Sequence, residues 1–243
     1  MENSNLRLVY CFSKKLALND TKFYKAISLL KKSIEVNSKF HQVKVITDEE
    51  TADYLIDVDI EILNFDNFYF LDDIKIQVLP LLKKNDILID FDIFLGDILE
   101  IDSNVDIILD RPSYITETYY RKEIELSRKY KFSKLLNYNP NKNEIGNIGI
   151  MKFLNKELEK KYIDFYTKVK ETALTEKNTL LPFPSFSMLL GQIGLKNIID
   201  DNDYSISYTS QISKNNYFHL AGEAKYNEID IESSISRLNK TLI

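Results

Sequence analysis

The sequence predicts an α/β fold, a mostly parallel sheet flanked by helices. Three observations carry that expectation. From residue 6 onward, short β-rich apolar runs alternate with longer amphipathic segments, in the order strand–helix–strand–helix. The run Ile87-Leu88-Ile89 is apolar on consecutive positions, which marks a strand covered on both faces, as in a parallel sheet. The chain of 243 residues, 44% hydrophobic and 28% charged, has the size and balance of one large globular domain.

Taken in order, Leu6–Phe12 reads as the first strand. The connection Ser13–Asp20 ends in Asn19-Asp20, residues that cap helices. Phe23, Ile27, Leu30 and Ile34 then recur at helical spacing with lysines opposite, predicting a surface helix on the sheet. Val43–Thr47 is a second strand, and Asp48-Glu49-Glu50-Thr51 opens a short helix reaching about Leu55, with acids in its first turn. Ile56–Leu63 alternates apolar and acidic residues, the period of a strand with one wet face. Asp66–Leu82 reads as a helix between loops, Val105–Leu109 as a strand, and Pro112 as a bend before a loop and helix over Tyr114–Leu126. Asn137–Asn147 is rich in Asn with Pro and Gly, so it is irregular. It leads into a short strand over Ile148–Phe153 whose Gly149 suggests close approach of a ligand or another backbone. Leu158, Tyr162, Phe165, Val169 and Ala173 form one helical stripe. After Pro182 and Pro184, Ser185–Ile193 reads as a short helix stopped near Gly194. Tyr204–Thr209 and Asn216–Leu220 are candidate strands, and Ile231, Ile235, Leu238 and Leu242 line a last helix.

Composition excludes several function classes. With 32 basic against 37 acidic residues the net charge is -5, and no basic patch of the nucleic-acid-binding kind stands out. The single Cys11 lies in an apolar strand, so it reads as a small buried hydrophobe and no disulfide framework exists. The start Met-Glu-Asn-Ser-Asn has no signal-peptide pattern, and no apolar run approaches the ~20 residues of a membrane span. A cytoplasmic protein is the expectation.

Two short constellations carry chemistry. Asp86–Glu100 reads D-I-L-I-D-F-D-I-F-L-G-D-I-L-E, placing Asp90 and Asp92 one residue apart at the end of the buried strand, with Gly96-Asp97 as the closing turn. In a regular strand, i and i+2 share a face, so both carboxylates would converge beyond the strand end, where ligands of open α/β sheets bind. Such a pair suits a divalent cation and the phosphates it carries. Asp57-Val-Asp59 repeats the spacing, but the alternating strand around it already explains those acids. His219–Lys225 reads H-L-A-G-E-A-K. A neutral imidazole ligates manganese-like ions, glycine admits phosphate oxygens close to the backbone, and lysine offers a mobile positive charge to a diphosphate.

D-x-D-x-x-x-G-D-I-L at Asp90–Leu99, N-x-G at Asn147–Gly149 and H-x-x-G-x-x-K at His219–Lys225 occur in one order. That set resembles the retaining glycosyltransferases of the glycogenin and bacterial lipopolysaccharide galactosyltransferase type. A still closer likeness is to uncharacterised bacterial and phage proteins with a glycosyltransferase-like fold. The resemblance implies a single GT-A domain over residues 1–243. Residues 1–110 would form the nucleotide-binding half, and 111–243 the acceptor half with the C-terminal helix. It implies a divalent metal, Mn²⁺ or Mg²⁺, held by Asp90, Asp92 and His219, and a nucleotide-sugar donor, UDP-linked. Asp90 would also contact the sugar-ribose side, Gly222 and Lys225 would hold the diphosphate, and Asn147 and Gly149 would line the sugar or acceptor pocket. The base would bind at the exit of the first strand, Phe12-Ser13.

The chain also departs from that pattern. The helix facing the donor's anomeric carbon opens P-F-P-S-F-S-M-L-L-G-Q, with no acid at the expected place and Gln192 nearby as a weak catalytic candidate. Lys225 is followed by Tyr226-Asn227 where the family has Pro-Trp. Three readings stand: a metal-dependent glycosyltransferase acting on a glycan or similar acceptor, a non-catalytic GT-A-shaped binding or structural protein of phage origin, and a nucleotidyltransferase. The third expects a Gly-rich loop after the first strand, and Ser13–Asn19 contains no glycine.

Overall fold

The computed structural model describes residues 6–16, 20–65, 72–114, 144–175, 185–212, 217–220 and 228–241. Strand β1 (Arg7–Phe12) alternates its side chains between two apolar layers. Leu8, Tyr10 and Phe12 face one layer, with Phe23, Ile27 and Leu30 of helix α1 (Asp20–Asn37). Val9 and the partly buried Cys11 face the other. Burial on both faces is the reason the strand reads as an unbroken apolar run. Burial also pushes the Cys11 thiol up to about 12, so it stays protonated and inert.

β1 pairs in parallel with β2 (Gln42–Thr47) on one side and with β4 (Asp86–Ile89) on the other. β2 pairs in parallel with the edge strand β3 (Asp59–Ile62). On the far side of β4, strand β9 (Ile150–Phe153) runs antiparallel to both β4 and β6 (Ile107–Leu109), and β10 (Ile206–Tyr208) closes the row parallel to β6. The seven-stranded order is β10-β6-β9-β4-β1-β2-β3. Because β1, β2 and β4 are parallel, their C-terminal ends share one edge of the sheet. Asp48 caps the short α2 (Glu49–Ala52) at that edge by accepting the Thr51 N–H, and it also accepts the Ser13 hydroxyl at the exit of β1. The second face is covered by α3 (Asp73–Val78), α4 (Lys156–Thr175) and α5 (Ser185–Asp201), through Ile74, Val78, Leu158, Tyr162, Leu195 and Ile199.

Two small ribbons lie outside the main sheet. β5 (Ile93–Leu95) pairs antiparallel with β11 (Tyr217–His219), and β7 (Pro112–Tyr114) with β8 (Glu144–Gly146). The C-terminal helix α7 (Glu228–Thr241) docks through Ile231 and Leu238 on Leu29 and Val36 of α1 and on Phe94 of β5. Among the described residues no helix is long and apolar enough to cross a membrane.

Four expectations are corrected. The strand expected over Ile56–Leu63 spans only Asp59–Ile62, because Asp57 turns the chain with a left-handed φ of 59°. Pro112 begins a strand instead of bending the chain, a position where its missing N–H costs no ladder bond. Within the segment Asp66–Leu82, of which residues 66–71 lie outside what is described, α3 covers Asp73–Val78 and ends there, and a single tight turn, Leu79–Leu81, follows around Pro80. Finally, α5 runs through Gly194. A Cβ there would collide with the Phe165 ring of α4, so this glycine lets the two helices touch and does not end one. The expected elements within 115–143, with Ala173 and Leu242, lie outside what is described.

Candidate metal centre

The site forms where β4 ends. Asp90 follows the last strand residue, and its carbonyl accepts the Ile93 N–H at 3.2 Å, so the chain turns over Asp90–Asp92. The shared-face argument for a continuous strand therefore does not apply; the turn brings the two carboxylates together. β5 begins at once, and its pairing with β11 sets His219 opposite Ile93. The Leu220 N–H donates to the Asp92 carbonyl at 3.0 Å. One ligand-type atom from each of Asp90, Asp92 and His219 fits within 4.8 Å of the others.

This ribbon is held by a buried polar bracket. Asn37, at the end of α1, donates from Nδ2 to the Ile93 carbonyl at 3.0 Å and to the Tyr10 hydroxyl at 2.6 Å. Its Oδ1 accepts the Leu95 N–H at 2.7 Å, and Ser33 Oγ donates to the same Ile93 carbonyl at 2.6 Å. A fully satisfied buried network of this kind fixes one arrangement.

Asp90 and His219 each have a backing partner. The Asp90 N–H donates to the Gly149 carbonyl at 2.7 Å, and Lys75 Nζ holds Asp90 Oδ1 at 2.8 Å. Lys75 is buried, donates also to the Ile148 carbonyl at 3.1 Å, and stands 3.8 Å from Asp72 Oδ1. Burial disfavours its ammonium, yet Asp90 and Asp72 outweigh this and hold its pKa above the ordinary lysine value. Asp72 is the less favoured partner: burial pushes its carboxyl up to about 6 despite Lys75. His219 Nδ1 meets Oδ2 of the fully buried Asp110 at 2.7 Å, while Nε2 lies 3.5 Å from Asp92 Oδ1. Burial opposes an imidazolium here, but the Asp110 hydrogen bond and the charges of Asp92, Asp110 and Asp90 prevail and raise the His219 pKa. The pocket thus favours a positive charge beside three carboxylates.

Two glycine-containing contacts close the frame. Asn147 Oδ1 accepts the Gly149 N–H at 2.8 Å, and the Asn147 backbone bridges Asp110 and Arg111. A Cβ on Gly149 would sit 2.8 Å from His219 Cε1. The sequence points to a ligand or another backbone at this glycine; the group that approaches it is the histidine side chain. Gly149 thus stands beside the His219 ring, and Asn147 holds Gly149. Gln192 lies on α5, 1% exposed, inside the helix layer. Gly222 and Lys225 lie outside the described residues. Asp57 and Asp59 stand at the opposite edge of the sheet, with Asp59 3.9 Å from Arg7.

Sequence reasoning missed Asp110, Lys75 and Asp72. Asp110 had a readable signal: Ile107-Ile108-Leu109-Asp110 repeats the pattern of Ile87-Leu88-Ile89-Asp90, an apolar strand delivering an acid at its end. Lys75, between two isoleucines, was a lone cation within an apolar stripe.

Two carboxylates and an imidazole are the donor set of Mn²⁺-class ions. A ring whose other nitrogen is held by a carboxylate is the usual support of a metal-binding histidine. The residues present therefore fit such an ion.

No family model matches the chain, and none of the curated proteins matches it. Among solved structures it is similar to the glycosyltransferase GlyE of Streptococcus pneumoniae TIGR4, with a TM-score of 0.52 at 11% identity over 97% of this chain and 63% of that one. The fold is GT-A-like. The apo form of GlyE gives 0.47 at 13% identity over 99% and 63% of the two chains. The CTP:phosphocholine cytidylyltransferase LicC of Streptococcus pneumoniae gives 0.47 at 13% over 98% and 100%. The chain thus spans about 63% of the length of GlyE. At these identities the likeness concerns the fold alone.

Proposed function

We propose that the chain is a metal-dependent glycosyltransferase that takes a sugar from a nucleotide-sugar donor, UDP-linked, and passes it to a glycan or similar acceptor. The observation that carries this reading is the convergence of Asp90, Asp92 and His219 at the C-terminal end of β4. That edge also holds the exit of β1, so base, diphosphate and cation can be served by neighbouring strand ends. When bound, the metal supplies Lewis-acid stabilisation of the departing diphosphate. The chain's own groups prepare the place: Lys75 fixes one Asp90 oxygen, and the ribbon from β5 to β11 aligns Asp92 with His219. In this reading Gly222 and Lys225 hold the diphosphate.

The test is thermal unfolding with UDP and Mn²⁺. A ligand present at about a hundredfold its Kd stabilises the native state by about 2.7 kcal/mol. For a domain of this size that is a rise in Tm of roughly 5–11 °C. Asp92→Asn and His219→Ala should abolish the rise. Absence of any shift in the wild-type protein overturns the donor-site reading.

A second reading keeps the donor site without turnover. It is favoured by the residues that open α5, Ser185-Phe186-Ser187-Met188, which offer no carboxylate. Transfer and hydrolysis assays over a panel of UDP-sugars separate the two, since binding without turnover supports the non-catalytic protein.

A further inference from the structure

We propose that Asp110 is the positioning residue of this centre: it locks His219 in the tautomer that leaves Nε2 bare toward Asp92. The inference deepens the metal-site reading above and rests on it for its purpose, though not for its geometry. A carboxylate oxygen can only accept, so the 2.7 Å contact between Asp110 Oδ2 and His219 Nδ1 requires the proton on Nδ1. In the neutral ring Nε2 then carries a lone pair, and this is the atom that faces Asp92 at 3.5 Å.

Asp110 is built to hold that position. Its N–H donates to the Asn147 carbonyl at 3.1 Å. Its carbonyl accepts the Ser210 N–H at 3.0 Å and the Thr209 hydroxyl at 2.8 Å, both at the start of α6 (Thr209–Ile212). Three hydrogen bonds, to Asn147 and to the start of α6, thus clamp one backbone unit at the end of β6. The side chain is 0% exposed, and Oδ1 has no hydrogen-bond partner among the described residues. Arg111 Nε lies 3.9 Å from Oδ2 and is half exposed, too loose a contact to compensate a buried carboxylate alone. The imidazole N–H is therefore the bond that the buried acid cannot lose. Gly149 meets the same ring at Cε1, so the ring is confined at two atoms. The action of Asp110 runs through His219.

The chain's two histidines make the tautomer directly measurable. In metal-free, ¹⁵N-labelled full-length protein, long-range ¹H–¹⁵N correlation at a pH where both rings are neutral reports which nitrogen carries the proton. His41 is the internal reference: its Nε2 accepts the Leu99 N–H at 3.0 Å, so it must be the Nδ1–H form. His219 is expected to show the same pattern; an Nε2–H pattern overturns the proposal. The second measurement is Mn²⁺ affinity in the presence of UDP, read by electron paramagnetic resonance, for wild type and Asp110→Asn. Loss of a carboxylate behind a metal-binding histidine weakens metal binding about 10–100-fold. That loss is expected with metal-free Tm nearly unchanged, since the amide keeps the shape of the acid. Equal Mn²⁺ affinity in the two proteins overturns the proposal. If the wild type binds no Mn²⁺, the metal reading itself fails, and the tautomer still decides whether Asp110 sets the ring.

Discussion

Replacing Gly149 with alanine adds one methyl group at the tightest point of the centre. The new Cβ would stand 2.8 Å from His219 Cε1, 3.0 Å from Ile93 Cδ1 and 3.1 Å from Asn147 Oδ1, where ordinary contacts begin near 3.4 Å. The backbone there demands no left-handed φ, so the cost is spatial. To restore contact distance the ring must recede by about 0.6 Å, the difference between those two distances. His219 is pinned by Asp110 at 2.7 Å, and a shift of that size would stretch the bond to as much as about 3.3 Å, beyond the usual range. Overpacking of this kind destabilises by about 1–3 kcal/mol. At roughly 2–4 °C per kcal/mol for a domain of this size, Tm should fall by roughly 2–12 °C. Differential scanning calorimetry of the metal-free protein measures the drop, and Mn²⁺ titration with UDP should show a parallel loss of affinity. Alanine at 149 with unchanged Tm and unchanged Mn²⁺ affinity would refute the claim that this glycine exists to admit the histidine ring.

Gly194→Ala is the matched control: the methyl group meets the Phe165 ring of another helix, so Tm should fall while Mn²⁺ affinity in the surviving fold stays. Asp72→Asn should stabilise the protein near neutral pH. Burial raises its carboxyl from 3.8 to about 6, so in the wild type this group favours folding at low pH, and that contribution disappears as pH rises through 6. The gain on substitution, about 3 kcal/mol at most above pH 7, should vanish near pH 4 in urea unfolding curves. Lys75→Met leaves Asp72 and Asp90 without their cation and should cost about 3–5 kcal/mol at pH 7. The loss should be smaller at pH 5, where Asp72 takes up a proton; an equal loss at both pH values would show that Lys75 does not serve Asp72.

Much of the frame was legible because its physics is local. β1 and β4 are buried on both faces, and α1 sets the stripe Phe23, Ile27, Leu30 and Ile34 against the sheet, so their periodicities are written in consecutive residues. Asp90, Asp92 and His219 were readable as residue types with metal-binding use. Their manner of meeting was not: it depends on a turn at Asp90 and on a three-residue ribbon too short to carry a period. Asp110 was harder still, since its role lies in a hydrogen bond across 109 positions. Gly194 shows the opposite failure. Its residue type suggested a helix end, while a ring from another helix decided its purpose. Lys75 shows in the sequence only as a lone cation between two isoleucines, and the two acids it serves, Asp72 and Asp90, come together only in the fold.

The central claim is that this sheet edge is a metal–diphosphate site. Anomalous diffraction from a crystal soaked with UDP and Mn²⁺ tests it most directly. The expected result is a single strong Mn²⁺ peak bounded by Asp90, Asp92 and His219, with diphosphate density beside it. UDP bound with no metal between those three side chains, or Mn²⁺ density elsewhere on the protein, would contradict it.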